Sequence, residues 1–178
     1  MKINKLHIAC GERYFNGWMN IDIGAYKVDL THDVTKKFPD SIHDINLIYC
    51  EHFIEHLDVD ECIRFLNNCY DVLVAGGIIR IATFDLDELI DKYITDWKDQ
   101  CWIPSHPFIK TRAEMINIGF RWWGHKWVYN FEELKRRVSE SKFGDSIRKE
   151  KISISTIPEL CNLETRQNST LIVEGIKV

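Results

Sequence analysis

The sequence has little of what marks several protein classes. The opening MKINKLHIAC holds no long apolar segment and no cleavage-site pattern, which argues against export and for a reducing cytoplasm. The six cysteines (Cys10, Cys50, Cys62, Cys69, Cys101, Cys161) include no CxxC pair, which argues against a zinc ribbon or a thioredoxin-type centre. Several lie inside apolar runs, where free cysteine packs as a small hydrophobe. Basic residues are not in excess: 23 Lys and Arg face 27 Asp and Glu, for a formal charge of −4 and a pI near 6.0. That balance leaves no footprint for nucleic acid or an anionic membrane. The run Lys135-Arg136-Arg137 reads as the solvated face of a helix. There are no repeats, low-complexity tracts or linkers, so the 178 residues are expected to form one domain, 1–178. At 45% hydrophobic and 28% charged residues, that domain is soluble and globular by composition.

What is present centres on Leu6 to Asp22. The apolar run Leu6-His7-Ile8-Ala9 enters a turn at Cys10-Gly11, and a second run, Trp18 to Ile21, ends on Asp22. A strand, a small-residue turn, a second strand and a carboxylate at its tip is the order in which doubly wound sheets build nucleoside sites. Gly11 is the one glycine of that turn, and the same pattern also serves as plain core with an exposed strand-end carboxylate. Cys10 to Gly17 is too short for a full crossover helix, so a loop or single helical turn is expected there. Gly24 to His32 is similarly short, with a mini-strand at Val28 to Leu30. Helical cover of the N-terminal half should therefore be thin.

Ile45 to Cys50 reads as a central strand. Val59 to Leu73 has apolar residues at helical spacing, with Asp58 or Asp60 suited to its N-terminus. Ala75-Gly76-Gly77 reads as a stop and turn, and Ile78 to Thr83 as the next strand, completing a βαβ unit. Arg80 inside that strand calls for snorkelling or a partner. Asp85 to Trp97 is helical by pattern, and Cys101 to Tyr129 is irregular and rich in aromatics. Phe131 to Ser141 is a short helix, with Asn130 and Glu133 placed as a capping box. Ile147 to Ile154 and Leu171 to Ile176 are candidate final strands. The fold class is thus α/β: a mostly parallel Rossmann-like sheet with a C-terminal antiparallel strand and reduced N-terminal helices.

Taken in order, these stretches resemble the class I S-adenosylmethionine-dependent methyltransferases, and within them the short type 11-like members found among cell-envelope and polysaccharide genes. The likeness rests on Leu6-His7-Ile8-Ala9-Cys10-Gly11, Gly17-Trp18-Met19-Asn20-Ile21-Asp22, His32-Asp33-Val34-Thr35, Glu51-His52-Phe53-Ile54-Glu55-His56-Leu57 and Leu73-Val74-Ala75-Gly76-Gly77. It continues through His125-Lys126-Trp127-Val128-Tyr129-Asn130 and the tail from Glu164-Thr165-Arg166 to Glu174. The resemblance implies S-adenosyl-L-methionine as cofactor. It implies that Ala9, Cys10 and Gly11 face the methionine part, that Asp22 holds the ribose, and that Asp33 and Val34 edge the adenine. Cys50, Glu51 and His52 would sit beside the cofactor and near the acceptor. The chain departs from the family pattern at Ala9, which replaces a glycine, and at His7, where an acidic or amide residue is common. It also lacks the helix that normally follows the first turn.

His52, His56 and His125 are the candidate bases for an acceptor hydroxyl or amine, because imidazole titrates near neutral pH. His52 and His56, four apart, would share one helical face and invite a metal with Glu51 and Glu55. Phe53 breaks the His-Glu-x-x-His pattern and no third ligand stands at a fixed offset, so no metal is expected. The expected acceptor is a small polar molecule, a sugar or sugar nucleotide, methylated on O or N and bound by the stretch Phe84 to Tyr129. There His106, Arg112, Arg121, His125 and Lys126 accompany several aromatic rings. The same tryptophans also suit a core or a homodimer interface. A second reading stands beside the enzyme: a non-catalytic Rossmann-like module that binds a nucleoside or a partner protein. The glycine-poor turn favours the module; Asp22 and Glu51-His52 favour the enzyme.

Overall fold

The structure is a computed structural model that describes residues 4–24 and 27–178. The reading of the first residues therefore falls partly on Met1 to Ile3, and that of the Gly24 to His32 connection partly on Ala25 and Tyr26, all outside the described residues. Among the described residues seven strands form one sheet: β1 (Lys5–Ile8), β2 (Met19–Asp22), β3 (Leu30–Thr31), β4 (Ile45–Glu51), β5 (Leu73–Thr83), β6 (Ile147–Glu150) and β7 (Leu171–Ile176), in the order β3-β2-β1-β4-β5-β7-β6. The first five are parallel; β7 runs antiparallel to both β5 and β6. The chain steps outward from β1 in one direction and restarts at β4 in the other. The switch point is therefore the β1–β4 seam, and a ligand crevice is expected above the carboxyl ends of those strands.

β4 is buried on both faces, which suits its continuous apolar sequence INLIYCE. On one face Ile48 and Cys50 join Leu6, Ile8, Ile79 and Ile81 beneath α1 (Val59–Val72) and α4 (Phe131–Ser139). On the other, Leu47 and Tyr49 pack with Trp18, Ile172 and Leu160. That second face is covered by the loops carrying Phe15, Ile157 and Leu163 and the 3-10 turn Pro158–Leu160 rather than by α-helices. The Cys10 to Gly17 connection is indeed a loop, and among the described residues no α-helix precedes α1, only the 3-10 turn Ile54–His56. A third cluster, Leu89, Ile109, Met115 and Ile118, joins α2 (Leu86–Ile94) to α3 (Arg112–Arg121) beyond the end of β5.

Three local expectations need correction. Ala75-Gly76-Gly77 does not end the helix with a turn. α1 passes straight into β5 at Leu73, and the glycines form a bulge, since Leu73 pairs with Ile45 and Ile78 with Leu47. The irregular stretch contains α3, closed by a reciprocal capping box between Thr111 and Glu114. At α4 only one arm of the expected box forms. Asn130 accepts from the Glu133 amide, but the Glu133 carboxylate is taken by Trp127, Arg136 and Arg137. Arg80 finds partners: wholly buried, it donates to Glu164 (2.7 Å), Glu174 (2.8 Å) and the Ile154 carbonyl (3.0 Å). Among the described residues no helix is long and apolar enough to cross a membrane.

Candidate active site

Two cavities open at the β1–β4 seam. The first, about 530 Å³, lies over the ends of β1 and β2 and is lined by Ala9, Asp22, Asp33, Val34, His52 and His56, with Ile21, Ile23, Phe53 and Leu57 as its apolar wall. Ala9 and Gly11 both take left-handed backbone angles (φ 52° and 51°). That curl brings the Gly11 amide to Asp22 Oδ2 at 2.9 Å, while the Gly24 amide donates to Oδ1 at 2.8 Å. Two amides thus fix the Asp22 carboxylate, and each oxygen keeps a second lone pair for a ligand. Asp33 Oδ1 accepts from the Thr35 amide and hydroxyl, which leads the causes holding its carboxyl below the usual range.

The second cavity, about 410 Å³, is lined by His52, His56, Phe84, Trp102, Trp123, His125, Arg166 and Asn168. His52 and His56 belong to both walls. His52 leaves the end of β4 with φ 51°, its amide pinned to the Ala82 carbonyl at 2.8 Å. Its Nδ1 lies 2.8 Å from Glu55 Oε1, and both side chains are buried. A carboxylate only accepts, so Nδ1 carries the proton and Nε2 is left as the acceptor. Burial raises the Glu55 carboxyl, but the His52 hydrogen bond and the nearby imidazoles outweigh it and hold the group below its ordinary value. His125 is arranged likewise: Nδ1 donates to the Gly119 carbonyl at 2.8 Å. Burial lowers its pKa, with the Gly119 bond opposing, so the ring is neutral at neutral pH.

The other sequence candidates sit differently. The Cys10 side chain is buried, and desolvation with the charge of Asp22 pushes its thiol up to about 11; its amide donates to Ile21. Cys50 is wholly within the core, so it does not present its thiol to either cavity. The Glu51 carboxylate points to the C-terminal loop, where it accepts from the Thr165 amide and hydroxyl, the Arg166 amide and Ser169 Oγ. The expected cations disperse: Arg112 lies over Tyr93, Arg121 lines a separate surface hollow, and Lys126 pairs with Glu61 in the first cavity's wall. Sequence reasoning missed Arg166 and Asn168 as lining residues. Their signal was the tail motif beginning Glu164-Thr165-Arg166.

This architecture has solved counterparts. An S-adenosylmethionine-dependent methyltransferase from Clostridium acetobutylicum superposes with a TM-score of 0.51 at 10% identity, over 98% of this chain and 83% of that one. One from Archaeoglobus fulgidus gives 0.55 at 15%, over 97% and 85%. The chain has the class I methyltransferase fold. Within this methyltransferase fold, similarity extends to the small RNA methyltransferase HEN1 (0.54, 12%, 97% of this chain), of which the chain spans 23%. No family model and no curated protein matches the sequence. At these identities the likeness is one of fold, and the site's chemistry is argued from its own residues.

Proposed function

We propose that the protein transfers a methyl group from S-adenosyl-L-methionine to an O or N atom of a small polar acceptor. The observation that carries this reading is the meeting of the two cavities at His52, whose ring is oriented by buried Glu55. The first cavity fits the cofactor. Asp22 has lone pairs for ribose hydroxyls, Val34, Ile23 and Leu57 offer an apolar bed for adenine with Asp33 at its edge, and Ala9 leaves room beside the backbone. The cofactor supplies an already activated methyl group on a sulfonium, so the protein contributes mainly alignment and exclusion of water. His52 Nε2, buried with no partner among the described residues, takes the proton of the acceptor. The Nδ1–Glu55 bond fixes the tautomer and stabilises the charge that results, as a carboxylate does behind a catalytic histidine. His56 and His125 face the acceptor. Trp102 and Trp123 suit a sugar ring, and Arg166, whose guanidinium makes no ion pair among the described residues, suits an anionic group such as a diphosphate. A sugar nucleotide matches that combination. All six cysteines are free, including exposed Cys101, which supports a reducing compartment.

Calorimetric titration with S-adenosylhomocysteine, followed by label transfer from S-adenosylmethionine to a panel of sugar nucleotides, amines, RNA and protein, tests the reading. One-to-one binding and labelling of a sugar nucleotide are expected. Absence of binding to folded protein would favour the non-catalytic module instead.

A further inference from the structure

We propose that Glu55, His56 and His125 hold a first-row divalent metal ion of the zinc type beside His56, the one of the three that lines both cavities. The spacing of His52 and His56 offers no third ligand in sequence, but the fold supplies one. The Lys126 and Trp127 amides both donate to the Glu55 carbonyl (2.8 and 3.2 Å). This ties the segment behind α3 to the 3-10 turn Ile54–His56 and carries His125 to the side of His56. The two rings then meet edge to face, with centroids 5.1 Å apart at 75°. One ligand atom from each of Glu55, His56 and His125 lies within 4.8 Å of the others. Adjacent ligands of a tetrahedral zinc ion stand about 3.4 Å apart, given Zn–N bonds near 2.0–2.1 Å. Closing the set therefore needs about 1 Å of side-chain movement.

A second observation points to a ligand. Glu55 is wholly buried, its Oε1 is satisfied by His52, and its Oε2 has no partner among the described residues. A buried carboxylate oxygen without a partner is costly, and a cation between it and the two imidazoles removes that cost. The surrounding bonds are those expected around metal ligands: His125 Nδ1–H donates a hydrogen bond to the Gly119 carbonyl, leaving Nε2 for the ion, and His52 orients the carboxylate. The His56 ring makes no hydrogen bond among the described residues. Two imidazole nitrogens and one carboxylate oxygen suit zinc-like ions rather than magnesium or calcium, and three protein ligands leave a position open to the cavity. The site stands on these residues alone. Its role, holding an oxygen of the acceptor beside His52, rests on the methyltransferase reading.

The test is zinc chloride titrated by calorimetry into chelator-stripped, dialysed full chain, with cobalt(II) absorption as the second readout. Wild type should take one zinc per chain, and cobalt should show the strong bands of a four- or five-coordinate ion. His56→Ala and His125→Ala should weaken zinc binding at least a hundredfold and lose those bands. His43→Ala, whose surface ring contacts Asp44, should bind as wild type. Glu55→Gln should also lose the ion; if burial makes it unstable, the half-buried His125→Ala, checked for folding by circular dichroism, carries the test. Absence of stoichiometric zinc in wild type, or equal affinity in folded His125→Ala, overturns the site. S-adenosylhomocysteine titrated into the same zinc-free protein separates the two claims. Cofactor binding without zinc binding removes the metal alone, and zinc binding without cofactor binding removes the methyltransferase reading alone.

Discussion

His52 holds a left-handed backbone angle that an L-residue with a Cβ adopts at a cost, and so do Ala9 and Trp123, which also line the two cavities. Strain of this kind persists where surrounding contacts fix it, and it gathers at functional sites. Glycine at position 52 relaxes it, so His52→Gly should be more stable than His52→Ala by roughly 1 kcal/mol, read from urea midpoints. Both variants should lose turnover by about a hundredfold or more, the usual contribution of a positioned base. Asp22→Ala should stay folded and lose S-adenosylhomocysteine affinity by about tenfold to a hundredfold. That is the equivalent of the ~1.5–3 kcal/mol of a charge-assisted hydrogen bond, and calorimetry reads it directly. At this scale the sequence showed the strand-end carboxylate and the paired histidines, because each depends on close spacing. It grouped His125 with them by ring chemistry alone; the contact with His56 is made by two amides of a distant segment on the Glu55 carbonyl, which no spacing reveals. Nor did it show that Glu51 turns away, since its partners lie in the C-terminal loop.

Among the elements, α1 is the best-specified helix, and its N-terminus shows why. Asp58 Oδ1 accepts from the Glu61 amide at 2.8 Å and Glu61 Oε2 accepts from the Asp58 amide at 2.9 Å. Asp58→Ala should lower stability by about 1 kcal/mol, measured by chemical denaturation. The α1–β5 junction is tighter. A Cβ on Gly77 would stand 2.8 Å from the Val74 carbonyl oxygen and 3.2 Å from that of Ile45. Backbone cannot yield as a side chain can, so Gly77→Ala should destabilise by roughly 1–3 kcal/mol, whereas an alanine on an open strand surface would not. The elements legible in sequence were those with strong periodicity or continuous burial, such as β4 and α1. α3 was not, because Met115, Ile118 and Gly119 make a narrow buried stripe amid Ile116, Phe120 and the neighbouring aromatics. Its Thr111–Glu114 capping box was nonetheless readable. The Gly76-Gly77 pair pointed to a turn because a register bulge inside a strand looks the same in one dimension.

Across the whole molecule, the C-terminal residues secure the centre of the sheet. Glu51, at the tip of β4, clamps the loop carrying Arg166 and Asn168 over the second cavity. Partial burial raises its carboxyl, but the bonds from Ser169 and Thr165 and the loop amides outweigh this and set it below its ordinary 4.5. The unfolded chain therefore binds the proton more readily. The clamp's stability is fully present above about pH 4.5 and is lost as pH falls through the lower folded value. Glu51→Gln should have a lower urea midpoint than wild type at pH 7, and the gap should narrow towards pH 3. The position of β7 has an outcome for synthesis. It follows β6 in the chain, yet it lies between β5 and β6 and brings Glu174 to Arg80. While residues 171–176 are still inside the ribosome, a nascent chain has an open β5 edge, able to pair with other chains, and a buried arginine short of one of its two carboxylates. Emergence of β7 closes that edge and gives Arg80 its second carboxylate.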